Sequence, residues 1–119
     1  MSYIQHNCIV VTGSQHNLVR EAYDLAQRLF GNILVSNIIG ANYQSFFIAP
    51  DDNRKGSEAR QQSDALRLEY IGWLKQNELQ WVELFYGNEF GTAGIVRDCG
   101  ETQRRRQELK SGMLIRELE

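Results

Sequence analysis

The residues best placed to do chemistry lie near the start of the chain. There "CIVVTGSQHNLVREAYDLAQRLFG", residues 8–31, passes from a β-branched run through Thr12-Gly13-Ser14 and His16 into a helical pattern. Backbone N–H groups at a helix start, with a hydroxyl and an imidazole beside them, form a generic anion cradle. The residues that would hold the anion are Thr12, Gly13, Ser14 and His16. Neither G-x-G-x-x-G nor G-x-x-x-x-G-K-[ST] follows Gly13, so no nucleotide fingerprint accompanies the turn. Every helix start exposes such N–H groups, and a capped turn between strand and helix explains the same residues. The turn reading is favoured.

Other reactive side chains are sparse. His6 and Cys8 alternate onto one face of a strand and would need Asp98 or Cys99 nearby to make a metal site. A small core cysteine and a terminal histidine account for them without a metal, so neither a metal nor a cofactor is expected. Cys8 and His16 are the one conceivable nucleophile and base, but Cys8 sits in a run that reads as buried strand, where thiols are inert. Asp51 and Asp52 fall in a turn, where water keeps them ordinary acids. No catalytic residue is assigned, and an enzyme is not favoured.

The elements that must position these residues follow from periodicity. Cys8 to Thr12 reads as a central strand. Leu18, Ala22, Leu25 and Leu29, widened by Val19, Tyr23, Ala26 and Phe30, form a helical stripe stopped by Gly31, with Ser14 or Asn17 as its cap. Ile33 to Ile39 and Tyr43 to Ala49 read as two strands. Gly40-Ala41-Asn42 is too short for a parallel crossover, so they form a hairpin. Pro50 to Asn53 ends the second strand.

A second helix is predicted over 57–77, capped by Ser57 or Gly56, with Ala59, Leu66, Tyr70, Trp73 and Leu74 as a ragged apolar stripe. "LQWVELFYG", residues 79–87, is a further strand, and Ala93 to Arg97 a weaker one. From Glu101 a C-terminal helix is expected, with Leu109, Met113, Leu114 and Leu118 apolar and Ser111-Gly112 interrupting it. The fold class is therefore α+β. Its plan is a ferredoxin-like β-α-β-β-α-β two-layer sandwich with an added strand and a C-terminal helix, in one domain over residues 1–119. That architecture hosts many unrelated functions, so it names none.

Composition narrows the classes. The 119 residues are 42% hydrophobic and 24% charged, which is the stock of a packed globular domain. A net charge of -2 opposes nucleic-acid binding through an overall positive field. Residues 97–119 carry six basic against five acidic side chains, too mild an asymmetry to name a polyanion partner. The densest cluster, Arg104, Arg105 and Arg106, reads as a solvated helix face and as a secondary charged patch. No secretory pattern opens the sequence and the apolar runs are far shorter than a membrane span, so a cytoplasmic location with free thiols is expected.

The aromatic residues carry the main functional expectation. Side chains alternate along a strand, and in "WVELFY" both alternating sets are apolar: Val82, Leu84 and Tyr86 against Trp81 and Phe85 with Glu83. In the hairpin, Tyr43, Ser45 and Phe47 oppose Gln44, Phe46 and Ile48. A sheet with helices on one side normally turns polar residues to water on the other, so the second face is expected to be covered. The C-terminal helix, a second copy and another protein are the occupants weighed, with single-stranded nucleic acid disfavoured by Glu83 and by the missing RNA-binding string. The function expected is protein–protein interaction through Tyr43, Phe47, Trp81 and Phe85, as a homodimer or a small accessory or inhibitory factor. Nucleic-acid binding through the basic tail, and anion or small-ligand binding at Thr12 to His16, are the alternatives.

Overall fold

In a computed structural model that describes residues 5–51, 57–77, 79–87 and 90–100, the chain forms a four-stranded sheet and two helices. In chain order these are β1 (His6–Gly13), α1 (His16–Phe30), β2 (Gln44–Ile48), α2 (Glu58–Gln76), β3 (Gln80–Tyr86) and β4 (Ala93–Asp98). The sheet order is β2-β1-β3-β4 with every neighbouring pair antiparallel. The fold is α+β. β2 and β3 run alike on either side of β1, and α2 carries the crossover between them.

The periodic signals act as physical chemistry requires. α1 buries Val19, Ala22 and Ala26 against the sheet. It ends at Gly31, whose N–H reaches Gln27 O at 2.9 Å. Its N-cap is Gln15, with no side-chain capping bond, so the expected cap at Ser14 or Asn17 is not used. α2 is capped as expected by Ser57, whose hydroxyl accepts the Arg60 N–H at 3.1 Å. At its other end the Asn77 amide donates to Trp73 O at 2.8 Å.

The expected hairpin keeps its reversal and loses one of its strands. Ile39 and Ser45 exchange two backbone bonds of 2.9 and 2.8 Å across Gly40 to Asn42. Gly40 has φ +112°, and a Cβ there would run into the Tyr43 carbonyl, so glycine fits the turn where a side chain would not. Upstream, however, Ile33 to Ile39 pairs with β2 only through isolated bridges at Val35 and Ile39. Burial explains the difference. Ile33 is 97% and Ile39 69% exposed, and of the alternating apolar residues only Val35 is fully buried. β-propensity without burial does not hold a strand together. The sheet thus has four strands rather than the five expected. The C-terminal helix expected from Glu101 lies outside the described residues.

One layer of core holds the two helices to the sheet. Ile9 and Val11 of β1, Phe46 and Ile48 of β2, and Trp81 of β3 meet Val19, Ala22, Ala26, Tyr70, Ile71 and Leu74. Each large apolar side chain buried there contributes about 1.5–3 kcal/mol of transfer free energy. Tyr70 links the helices: its hydroxyl donates to Ala22 O at 2.8 Å and its ring stands edge-on to Phe30 at 5.6 Å.

Candidate functional site

The strand registers decide which side chains share a face. Ile9 lies opposite Ile48 and Glu83, Val11 opposite Phe46 and Trp81, and Asn7 opposite Phe85. Directly opposed residues project to the same side, so all of these face the helices. On the other side stand Cys8, Val10 and Thr12 of β1, Phe47 of β2, Val82, Leu84 and Tyr86 of β3, and Ile95 of β4. The helix-free face is therefore apolar across all four strands. Phe47 is 37%, Tyr86 42% and Ile95 60% exposed, and Val10, Val82 and Leu84 are half-buried between them.

This geometry divides the four aromatic residues expected to act together. Phe47 lies on the open face and Tyr43, 62% exposed, stands just before β2. Trp81 is only 4% exposed and belongs to the core, and Phe85 packs its ring over Gly94 on the helix side. The partition follows from register, which a strand's own alternation cannot reveal: one residue of slip exchanges the two faces. Val10, Val82, Leu84, Tyr86 and Ile95 take the places on the open face that Trp81 and Phe85 were expected to fill.

Among the described residues, charge is almost absent from the open face. Asp98, opposite Val82, is its formal charge, and its Oδ1 accepts the Gly100 N–H at 2.9 Å. His6 stands beside Tyr86, ring centroids 5.0 Å apart. Cys8 is buried near the middle, and desolvation there pushes its thiol above the ordinary range, with a backbone hydrogen bond from Leu84 opposing and Glu83 adding. A thiol held protonated is a poor nucleophile.

Charge is concentrated instead under α2. Arg60 and Arg67, seven residues apart on that helix, are 5% and 6% exposed. Arg67 Nε stands 3.6 Å from Glu83 Oε2, which also accepts the Asn7 amide at 3.2 Å. Arg97 Nε is 2.8 Å from Glu83 Oε1, an ion pair without hydrogen-bond angles. Asp64 bridges both helix arginines, Arg67 also reaches Asp51 Oδ2 at 3.4 Å, and Arg60 donates to Asn7 Oδ1 and Gln5 O. Three guanidinium groups thus meet three carboxylates. Their opposite charges face one another, so the cluster is a clamp joining α2 to β1 and β3, with Arg97 of β4 added through Glu83. The sequence carried its signal in Arg60, Asp64 and Arg67 at i, i+4 and i+7, and in a glutamate amid "WVELFY".

The Thr12 to His16 turn borders a cleft of about 440 Å³, lined also by Leu18, Tyr43, Gln76, Asn77, Leu79 and Gln80. Two of its polar side chains have partners, and the exposed Ser14 lines the cleft. Thr12 Oγ1 and Ser45 Oγ are 2.8 Å apart, and His16 Nε2 is 3.3 Å from Asn42 O. Gly13 has a packing reason: a Cβ there would stand 2.6 Å from Leu79 and 2.9 Å from Val19. The lining includes no lysine or arginine to neutralise an anion. Arg104, Arg105 and Arg106 lie outside the described residues.

Among the described residues no group of three or more His, Cys, Asp or Glu side chains is arranged to hold a metal ion, and no helix is long and apolar enough to cross a membrane. No protein-family model, curated protein or solved structure matches the chain.

Proposed function

We propose that the protein is a non-enzymatic interaction domain that binds another polypeptide through the open face of its sheet. One observation carries this reading: apolar side chains from all four strands, Val10, Phe47, Val82, Leu84 and Ile95 among them, share the face that neither helix covers. Exposed apolar patches of this kind mark interfaces, and the near-absence of charge matches the core of one. We read the plan as ferredoxin-like, a reading supported by the Val35 and Ile39 bridges to β2, which lie on the side where that fold has its second strand. Free thiols at Cys8 and Cys99 support a reducing, cytoplasmic setting.

Site-specific photocross-linking in the native cell tests the reading. The photoreactive residue p-benzoylphenylalanine replaces Phe47 or Ile95 on the face, and Leu68 on the outer side of α2 as a control. The first two positions should yield a discrete cross-linked polypeptide and Leu68 should not. Equal yields at all three, or none at Phe47 and Ile95, would sink the proposal.

A further inference from the structure

We infer that the occupant of the open sheet face is a second copy of this chain, in a two-fold sheet-on-sheet dimer. The inference rests on the interaction reading above and names its partner.

Charge is the first argument. In a two-fold contact the same surface meets itself, so any charge near the axis faces its own image. The face avoids that penalty. Its central positions, Val10 and Val82 on the inner strands β1 and β3, are uncharged, and Asp98 stands on the edge strand β4. No lysine or arginine of the paired strand residues points to this side, since Arg97 lies opposite Glu83 on the helix side. An acidic peptide or a nucleic-acid backbone therefore finds no counter-charge there, while an uncharged copy meets no repulsion.

Shape and area are the second. A twisted pleated sheet packs aligned on another at about -30°, with side chains interdigitating across about 10 Å. An identical sheet supplies a matching twist automatically. Four strands spaced about 4.8 Å apart, each about 20 Å long, present roughly 400 Å² of projected area per copy. With the relief of Phe47, Tyr86 and Ile95 added, the pair reaches the low end of specific interfaces, about 1,200 Å² in total. An interface of that size falls below the roughly 2,000 Å² and more typical of obligate dimers.

Sedimentation velocity on the full chain from about 1 to 100 μM, a range that spans micromolar dissociation constants, reads the outcome. The mass should rise from 13.7 kDa toward twice that value. Phe47→Asp and Ile95→Asp should each weaken dimerisation roughly 100-fold or more, because each places two like charges in one contact. Leu68→Asp on α2 should leave it unchanged. Circular dichroism of each variant confirms the fold. A mass fixed at 13.7 kDa would overturn the second-copy assignment. In that case, cross-links from position 47 to a different polypeptide would leave the interaction reading standing. Cross-links from position 47 to residues 101–119 of the same chain would end both. A dimer that survives both face substitutions would also refute the assignment.

Discussion

Replacing Glu83 by leucine tests the claim that the charge under α2 clamps the fold. Glu83 is 2% exposed and touches Arg67, Arg97 and Asn7. Breaking a buried ion pair by removing one partner costs about 3–5 kcal/mol, because the other charge stays desolvated. The structure argues for the low end. Arg67 retains Asp51 and Asp64, and Arg97, 33% exposed at its side chain, can turn to water. Asn7 loses a charged acceptor, which costs about 1.5–3 kcal/mol before the apolar gain of the leucine. A net loss of about 3 kcal/mol is expected, a large share of the 5–15 kcal/mol that holds a typical domain together.

The assay is urea unfolding followed by circular dichroism and by the fluorescence of Trp73 and Trp81, the second of which shares the strand and the buried side with Glu83. The informative comparison is the pair Arg67→Met with Glu83→Leu. Removing both charges together should be milder than removing Glu83 alone, since a matched apolar replacement of a buried pair is often neutral or stabilising. A Glu83→Leu loss below about 1 kcal/mol, together with a double variant no better than the single, would refute the clamp.

Three further outcomes follow from the packing and the titrating groups. Trp81→Ser should cost about 3–5 kcal/mol as a core truncation, whereas Phe47→Ser should stay within about 1 kcal/mol in dilute, monomeric protein, as urea midpoints will show. Gly13→Ala should destabilise by about 1–3 kcal/mol, measured the same way, because its Cβ would overlap Leu79 and Val19. Stability should also fall in alkali. Burial raises the Tyr70 hydroxyl, and raises the Cys8 thiol, so both stay protonated in the folded chain after the unfolded chain has begun to ionise. The unfolded state then binds fewer protons, so stability present at pH 7 is lost as pH rises, first through the thiol range and then, for Tyr70, above about pH 10 with a limiting slope of about 1.4 kcal/mol per pH unit. Tyr70→Phe should flatten the slope above about pH 10 in a series of urea midpoints.

Local pattern carried α1 and α2, the four strand segments and the reversal at Gly40 because each depends on nearby residues. The stripe from Leu18 to Phe30 and the cap at Ser57 are local chemistry, and they appear in the fold. What pattern could not carry was register and depth. Alternation in "WVELFY" separates Trp81 from Val82, but only the pairings of Val11 with Trp81 and Val10 with Val82 tell which set meets the helices. The same limit hid the weakness of Ile33 to Ile39, whose β-branched residues read as a strand while the fold leaves Ile33 and Ile39 in water. Arg60 and Arg67 interrupted the apolar stripe of α2 and explain why it looked ragged: their half of the helix is buried on charge.

The two faces of this sheet reverse the usual distribution of chemistry. Charged residues fill part of the protected side, where Glu83 pairs with Arg67 and Asp64 joins Arg67 to Arg60, and apolar residues occupy the side that neither helix covers. Burying the three charges has a desolvation cost that good geometry only about offsets, so the clamp's effect is orientation more than net stability. A ring of contacts running from Glu83 through Arg67, Asp64, Arg60 and Asn7 ties α2 to β3 and β1, where dispersion alone would allow the helix to slide. The sheet is then held in one twist by its covered side, while among the described residues its open side adds no side chain to the cluster under the helices. That combination suits a surface whose partner must match a particular twist, and it makes the Glu83 and Phe47 variants separable. The first should weaken folding while leaving the face's chemistry unchanged, and the second should weaken association while leaving folding near wild type.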